Sequence, residues 1–408
     1  MTPLNQEPIV IAGGGIGGLA AAIGLARIGF NSVVLERAPQ FGEIGAGIQL
    51  GPNAFHALDY LGVGEVSRSA AVYIERLVLL DALSAEEIVS VPLDERFRAR
   101  FGNPYAVAHR AELHRALLNV CRELPGVQLR SGAEVLGYTQ DEARVCAELK
   151  NGEHIEGQVL IGADGLWSRI RESVVADGKP RVSGHTTYRS VIPRESMAED
   201  LRWNAVALWA GPKCHVVHYP LSGRNLFNIV VTYHNEASAA IAGEPAELAE
   251  VMAGFARVHP RIQQIIRQGR DWKKWVLCDR DPTSSWVNGR VTLLGDAAHP
   301  QLQYMAQGAC MALEDSVMLS MECAATPHDL SSALYRYQER RRLRTARVQL
   351  QSRAIGEHIY HPSGVHAELR NQIMRAKSTA EWFDVLQWLY GADDMLAAKA
   401  AKKERSDV

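Results

Sequence analysis

The sequence predicts an α/β protein: a lobe built on a parallel sheet, interleaved with a second lobe on a mostly antiparallel sheet, then C-terminal helices. Three observations predict it. A glycine-punctuated strand, turn, helix and strand occupy Pro8–Arg37. Two more apolar strands end in Gly- and Asp-bearing turns, at Val159–Gly165 and Gly289–Asp296. Strand-like runs fill the stretch between them, 181–275. With 408 residues, 47% hydrophobic and 22% charged, the chain can bury a large core shared by two lobes.

The first segment, "PIVIAGGGIGGLAAAIGLARIGFNSVVLER", reads as a strand at Ile9–Ala12, a helix over Leu19–Ile28 and a second strand at Val33–Leu35 that ends at Glu36. Gly13, Gly15 and Gly18 form G-x-G-x-x-G. The first permits the tight turn, the second lets backbone approach a pyrophosphate, and the third lets helix pack on strand. The helix start offers N–H donors and a positive dipole end to phosphates. Glu36 suits both hydroxyls of an adenosine ribose and repels a 2′-phosphate, which indicates FAD or NAD rather than NADP. A Rossmann-like dinucleotide domain follows; the competing reading is a glycine-rich turn with no ligand.

Later strands repeat the design. "VLIGADGLWSRIR" ends its strand at Gly162-Ala163-Asp164-Gly165, and "GRVTLLGDAAHP" ends its own at Gly295-Asp296 before a helix. Asp296 is placed to accept a ribityl hydroxyl, and the following helix N-terminus to hold the electron-rich pyrimidine edge of a flavin. Taken singly, each is also an ordinary strand-to-turn signal with an Asp cap. In "HPQLQYMAQGACMALEDS", small residues Ala306, Gly308 and Ala309 permit close backbone approach, and Met305, Cys310 and Met311 read as core.

Between these motifs, "WNAVALWAG", "KCHVVHYPL" and "NLFNIVVTYHN" read as antiparallel strands, and "PAELAEVMAGFARVH" as an amphipathic helix. In the middle strand, alternation sets His215, Val217 and Tyr219 on one face and Cys214, Val216 and His218 on the other. His215 and Tyr219 then either reach one ring-sized ligand or pack as plain strand residues. Leu334–Arg353 carries seven arginines in 20 residues. A half-buried helix with a solvated basic face explains it better than nucleic-acid binding, because formal net charge is only −2. Trp382, Phe383, Trp388 and Tyr390 sit in a helical segment, 356–408, and either cover the core or mediate a homodimer. "AAKAAKKERSDV" is expected to be frayed. No apolar run reaches membrane-spanning length and the N-terminus has no basic leader; six scattered cysteines without a CxxC pair argue against zinc and for a reduced, cytoplasmic setting. No metal site is expected.

The ordered set "GGGIGG" with Glu36, "HRAEL", "GADGLWSRIR" and "LLGDAAHP" with "QGACMALEDS" resembles the single-component flavoprotein aromatic hydroxylases, the group of p-hydroxybenzoate and salicylate hydroxylases, over residues 8–350. The resemblance implies FAD held tightly but non-covalently, NADH as a transient co-substrate, O2, a small aromatic acid as substrate and no second Rossmann fold. Arg110 matches an arginine that contacts FAD in the family, and Arg37, Gln49, Asp164, Gly295, Asp296, Gly308 and Ala309 join the glycines and Glu36 as cofactor-binding residues. An FAD-binding domain at 1–75, 102–180 and 276–355, a substrate domain at 76–101 and 181–275, and a helical segment at 356–408 are expected.

Within the group, "GPKCHVVHYPL" and "HPQLQY" resemble the 3-hydroxybenzoate 6-hydroxylases, in which the positions of His215, Tyr219 and Gln303 line the substrate pocket. Gln301 departs from the proline expected there. The implied reaction inserts oxygen para to the hydroxyl of 3-hydroxybenzoate, giving 2,5-dihydroxybenzoate through a C4a-hydroperoxyflavin in a dry cavity. His215 is expected to accept or relay the phenolic proton, and Tyr219 and Gln303 to orient the ring. Salicylate and 6-hydroxynicotinate remain alternative substrates. A non-oxygenating flavin dehydrogenase and a flavin-binding regulatory protein are the rivals of other classes.

Overall fold

In a computed structural model, residues 7–42, 46–391 and Met395 are described. Six strands form one sheet, in the order Val287–Asn288, Val291–Leu293, Leu160–Gly162, Ile9–Ala12, Ser32–Glu36 and Val127–Ser131. All neighbours pair in parallel except the short edge hairpin formed by the first two. Buried on both faces, these strands are short apolar runs rather than alternating ones. Register aligns Ala12 with Gly162 on one side and Leu35 on the other, and Gly162 with Leu293. The glycine turn, the Asp164 turn, the Asp296 turn and Glu36 therefore leave the same carboxyl edge, the place where open parallel sheets receive ligands.

The first helix spans Ile16–Arg27, three residues earlier than its pattern predicted, because Gly15 rather than a polar residue starts it. No side chain caps its N-terminus, so its leading N–H groups remain for another acceptor. At Gly13 φ is +113°, and a Cβ there would meet the Ala163 carbonyl oxygen at 2.2 Å. At Gly18 a Cβ would meet the Gly13 carbonyl oxygen at 2.0 Å. The glycines are thus required by packing among the protein's own atoms.

The second sheet has eight strands: Ala242–Pro245, Lys273–Asp279, Arg181–Pro193, Leu226–His234, Cys214–Leu221, Ala205–Gly211, Arg76–Asp81 and Glu87–Pro92. Only Ala205–Gly211 with Arg76–Asp81 is parallel. Its longest strand, Arg181–Pro193, was not among the runs singled out from sequence, although "HTTYRSVI" is β-branched and aromatic. Lys273–Asp279 runs across the expected boundary at 276. The amphipathic helix expected over Pro245–His259 is only Leu248–Met252 plus a 3-10 turn. In that turn Gly254 sits against the Tyr233 ring, which a Cβ would meet at 2.4 Å.

After Asp296 comes a single 3-10 turn, Gly295–Ala297, not an α-helix; the long helix opens only at Gly308 and runs to Ala325. The arginine-rich helix spans Leu330–Ile355 and packs against it. Of the C-terminal aromatics, Phe383 and Tyr390 are buried and stack edge-on with Phe97 and Phe101, while Trp382 and Trp388 pack partly buried around the same core. The cluster covers the core. The stretch "AAKAAKKERSDV" lies outside the described residues. No helix among the described residues is long and apolar enough to cross a membrane.

Candidate active site

A continuous cavity of about 1500 Å³ runs from the glycine turn to the large sheet. That exceeds the roughly 300–1,000 Å³ of a site for one drug-sized ligand, leaving room for a dinucleotide and a small second molecule. Its nucleotide end is lined by Gly13, Gly15, Glu36, Arg37, Arg110 and Asp164. Gln49, Gly295, Asp296, Gly308 and Ala309 line the middle, and His215, Tyr219 and Gln303 the far end. Gly18 does not line it; it holds the helix against the glycine turn.

Local geometry explains these positions. The Glu36 carboxylate accepts the backbone N–H groups of Gly14 and Ala38, both at 2.8 Å, so it is fixed at the strand tip. Asp164 Oδ2 accepts from the Arg169 backbone N–H at 2.8 Å and begins the helix Arg169–Val174. Arg171 on that helix is buried, pairs with Asp177 at 2.7 Å and donates to the carbonyls of Ala297 and Ala298 at 2.8 and 2.5 Å. It locks the second turn to the third. Sequence reasoning counted it only as part of a basic helix start.

The third turn is anchored from behind. Asp315 Oδ2 accepts from the Gly295 backbone N–H at 3.0 Å and from His299 Nε2 at 2.6 Å, while its Oδ1 takes Arg341 Nε at 2.6 Å. Arg341 also reaches Glu314 at 2.6 Å, which Arg344 holds at 2.7 Å and Asn53 at 2.7 Å. Burial raises both acids, but Arg344 and Arg341 around Glu314, and His299 and Arg341 around Asp315, outweigh it and bring each to about 2. Carboxylates depressed in the folded state stabilise it fully above their ordinary values of 4.5 and 3.8, and that contribution is lost as pH falls towards 2. Thermal melts from pH 6 to 3 should therefore show a steep acid loss that Glu314→Gln makes shallower; an equal slope in the two proteins contradicts the linkage.

Whether a flavin dinucleotide fits is answered by unmet groups. Both amide atoms of Gln301 are buried without a hydrogen-bond partner and face this cavity. A Cβ on Gly308 would lie 3.7 Å from Asp296 Oδ1 and 3.9 Å from Gln301 Nε2, so this glycine opens the floor between them. The helix Gly308–Ala325, like the first helix, has no side-chain N-cap. Donors at two helix starts and an unpaired amide match a pyrophosphate and a ring edge rich in acceptors. Gln301 is thus a cavity residue, and its departure from proline supplies polar atoms.

At the far end the strand Cys214–Leu221 presents His215 and Tyr219 as alternation predicted, with Val217 between them. His218 faces the other way and accepts from Trp209 Nε1 at 3.3 Å. His215 is 1% exposed, and its Nδ1 lies 2.8 Å from His361 Nε2. Burial, then the neighbouring His361 and His185, hold its imidazolium well below the usual range, so it is a neutral acceptor. Tyr219 is pushed up by burial and stays a donor. Its oxygen is hydrogen-bonded to Gln49, whose Oε1 accepts the Tyr105 hydroxyl at 2.5 Å.

Gln303 is held on both ends of its amide. Its Nε2 donates to Thr187 and Thr232 at 3.2 and 3.0 Å, and its Oε1 accepts from Arg189 Nη2 at 3.0 Å. The amide has spent its hydrogens on the strands and its oxygen on a guanidinium. Arg189 itself lines the cavity, packs over Trp275 and leaves Nε buried without a partner. Among the described residues no carboxylate pairs with it. Sequence reasoning missed Arg189 because its strand was missed; a lone arginine within a β-branched run was the available signal.

Residues 6–352 match the family model described as FAD binding domain. The 3-hydroxybenzoate 6-hydroxylase 1 of Aquipseudomonas alcaligenes is 54% identical over 94% of this chain and 98% of its own length. The 3-hydroxybenzoate 6-hydroxylase of Polaromonas naphthalenivorans (strain CJ2) is 46% identical over 94% and 96%. Among solved structures, Klebsiella pneumoniae HpxO complexed with FAD and uric acid superposes with a TM-score of 0.82 at 25% identity, covering 96% of this chain and 97% of that one. A salicylate hydroxylase substrate complex, at 24% identity and a TM-score of 0.81, shares the fold over 96% and 98%.

Proposed function

The chain belongs to the FAD-binding-domain family of flavoprotein aromatic hydroxylases, and from that premise we propose that it uses NADH and O2 to convert 3-hydroxybenzoate into 2,5-dihydroxybenzoate. One observation carries the reading: a single cavity joins the dinucleotide edge of the parallel sheet to His215, Tyr219 and Arg189 on the neighbouring sheet. A 3-hydroxybenzoate needs a cation for its carboxylate, a base for its phenol and apolar walls, and the far end supplies each.

FAD, when bound, would supply hydride acceptance from NADH and dioxygen activation, the chemistry no side chain here provides. The glycine turn and first helix would hold its pyrophosphate, Glu36 its ribose, and Asp296, Gln301 and the helix start at Gly308 its ring end. Val217, Leu208 and Val230 line the cavity beside His215 and keep water sparse. Arg189 binds the carboxylate, held in place by Gln303, so Gln303 acts through Arg189 rather than by donating to the substrate. Tyr219 donates to the ring substituent, and His215 draws off the phenolic proton, which raises electron density at the carbon para to that oxygen.

Arg189→Gln should raise the KM for 3-hydroxybenzoate, because losing one member of a desolvated charge pair costs about 2–5 kcal/mol, roughly 30-fold or more. Steady-state kinetics check it, and an unchanged KM contradicts the assignment. The function as a whole is tested on the purified yellow protein by NADH oxidation with hydroxybenzoate isomers and product identification. 2,5-Dihydroxybenzoate from 3-hydroxybenzoate supports it. Preference for salicylate or 6-hydroxynicotinate, the substrate named for a Bordetella bronchiseptica relative at 32% identity, moves the substrate. NADH oxidation with no hydroxylated product favours a dehydrogenase. A cytoplasmic homodimer completes the proposal; its support is the stripe Val365, Leu369 and Ile373, 79%, 52% and 51% exposed at helical spacing.

A further inference from the structure

We propose that His361 is the positioning and relay residue behind His215, taking the phenolic proton from it and delivering that proton to solvent. The inference rests on the reading of the substrate as a hydroxybenzoate.

His215 is sealed: it lies mid-sheet, with Tyr304 and Tyr360 edge-on to its ring at 5.6 and 5.0 Å. A base that cannot reach water must either keep the proton or pass it on. Its Nδ1 lies 2.8 Å from His361 Nε2, with the two rings nearly stacked, 5.1 Å between centroids. That leaves Nε2 as the nitrogen for a ligand. His361 comes from a different part of the chain, directly after the π-turn Gly356–Tyr360, and is only half-buried, with exposed Ser363 and Gly364 beyond it. The Lys213 backbone N–H, at the hairpin turn before His215, donates to the His361 carbonyl at 3.3 Å and pins the loop in place.

The protonation balance closes. As the substrate O–H proton moves to His215 Nε2, the proton on Nδ1 crosses to His361 Nε2, and His361 releases its Nδ1 proton to water. The substrate is left as phenolate, and the reverse shift returns a proton when the product oxygen is reprotonated. No oxidant or reductant is involved. The groups facing His361 favour passage over storage: His185 is edge-on at 5.2 Å, His234 is edge-on to His185 at 4.6 Å, and Arg181 adds positive charge beside His185. Tyr304, hydrogen-bonded to His185 Nδ1, and Tyr360 complete the surround and stay protonated. Burial, and then His185 and His234, hold His361 down to about 3, which favours the neutral imidazole there. Among the described residues no cluster that includes these histidines could hold a metal ion.

The test uses FAD-loaded parent enzyme, His361→Ala and His361→Gln, with single-turnover hydroxylation of 3-hydroxybenzoate followed across pH with and without added imidazole. The parent is read first: if it does not hydroxylate 3-hydroxybenzoate, the functional reading fails independently of the relay. Where it does, both variants should keep FAD and bind substrate within about twofold, while hydroxylation slows at least about tenfold. Imidazole should restore much of the rate to His361→Ala in proportion to its neutral fraction, and little to the glutamine variant, which fills the space without relaying. Unchanged hydroxylation in His361→Ala, or a slow rate indifferent to imidazole at every pH, overturns the proposal.

Discussion

His215→Ala is expected to slow aromatic hydroxylation by about 10²–10⁴-fold, while the protein stays yellow and continues to oxidise NADH when substrate is added. The flavin site is untouched, because His215 belongs to the large sheet and none of the turns that line the nucleotide end contacts it through a hydrogen bond. Substrate should still bind, since Arg189 and Tyr219 remain. What is lost is the acceptor for the phenolic proton. A neutral phenol is a poorer nucleophile than a phenolate, so reduced oxygen escapes as hydrogen peroxide instead of entering the ring. The measurement is hydroxylated product per NADH consumed, with peroxide determined in parallel. Full coupling in the variant would falsify the role.

Arg341→Met should destabilise the folded protein by about 3–5 kcal/mol, the cost of leaving buried carboxylates without their cation. Against a total of roughly 5–15 kcal/mol, that is a large share. Asp315 bears most of it, because Glu314 keeps the Arg344 cation and Asn53, whereas Asp315 keeps His299, the Gly295 N–H and the Tyr337 hydroxyl but no second guanidinium. The damage should reach the cofactor as well: Asp315 holds Gly295, and Gly295 begins the turn carrying Asp296. Weaker FAD retention together with a melting temperature lower by roughly 3–6 °C is the expected pair. Arg341→Lys should rescue little, since an ammonium cannot present the forked donors that span both acids. A melting temperature within a degree of the parent's, with FAD retained, would show that the network is not what anchors the third turn.

The same arginine marks a limit of sequence reading. Composition and charge indicated a half-buried helix over Leu334–Arg353, and the structure buries Leu334, Tyr337 and Arg341 on one face of it. Nothing in the spacing told that Arg341 is sealed against two acids of the helix Gly308–Ala325, because those acids lie about 26 residues away and meet it only through helix packing. Gln303 gives a second instance. Its position near the substrate end was legible from the family pattern, yet its hydrogens go to Thr187 and Thr232 on two strands whose pairing no local pattern specifies.

What the amino-acid sequence determined by itself are the features that depend on neighbours along the chain: the glycine turn, the apolar strands of the parallel sheet, Glu36 at a strand tip, and the shared face of His215 and Tyr219. Each follows from a backbone constraint or a period of two, and so can be read within a dozen residues. The tertiary structure alone decided what meets across the cavity: Arg189 held by Gln303, His361 stacked on His215, Arg171 tying two turns, and the buried acids behind the third. Those pairings are set by how two sheets and two long helices pack, and close packing joins residues whose separation along the chain carries no signal.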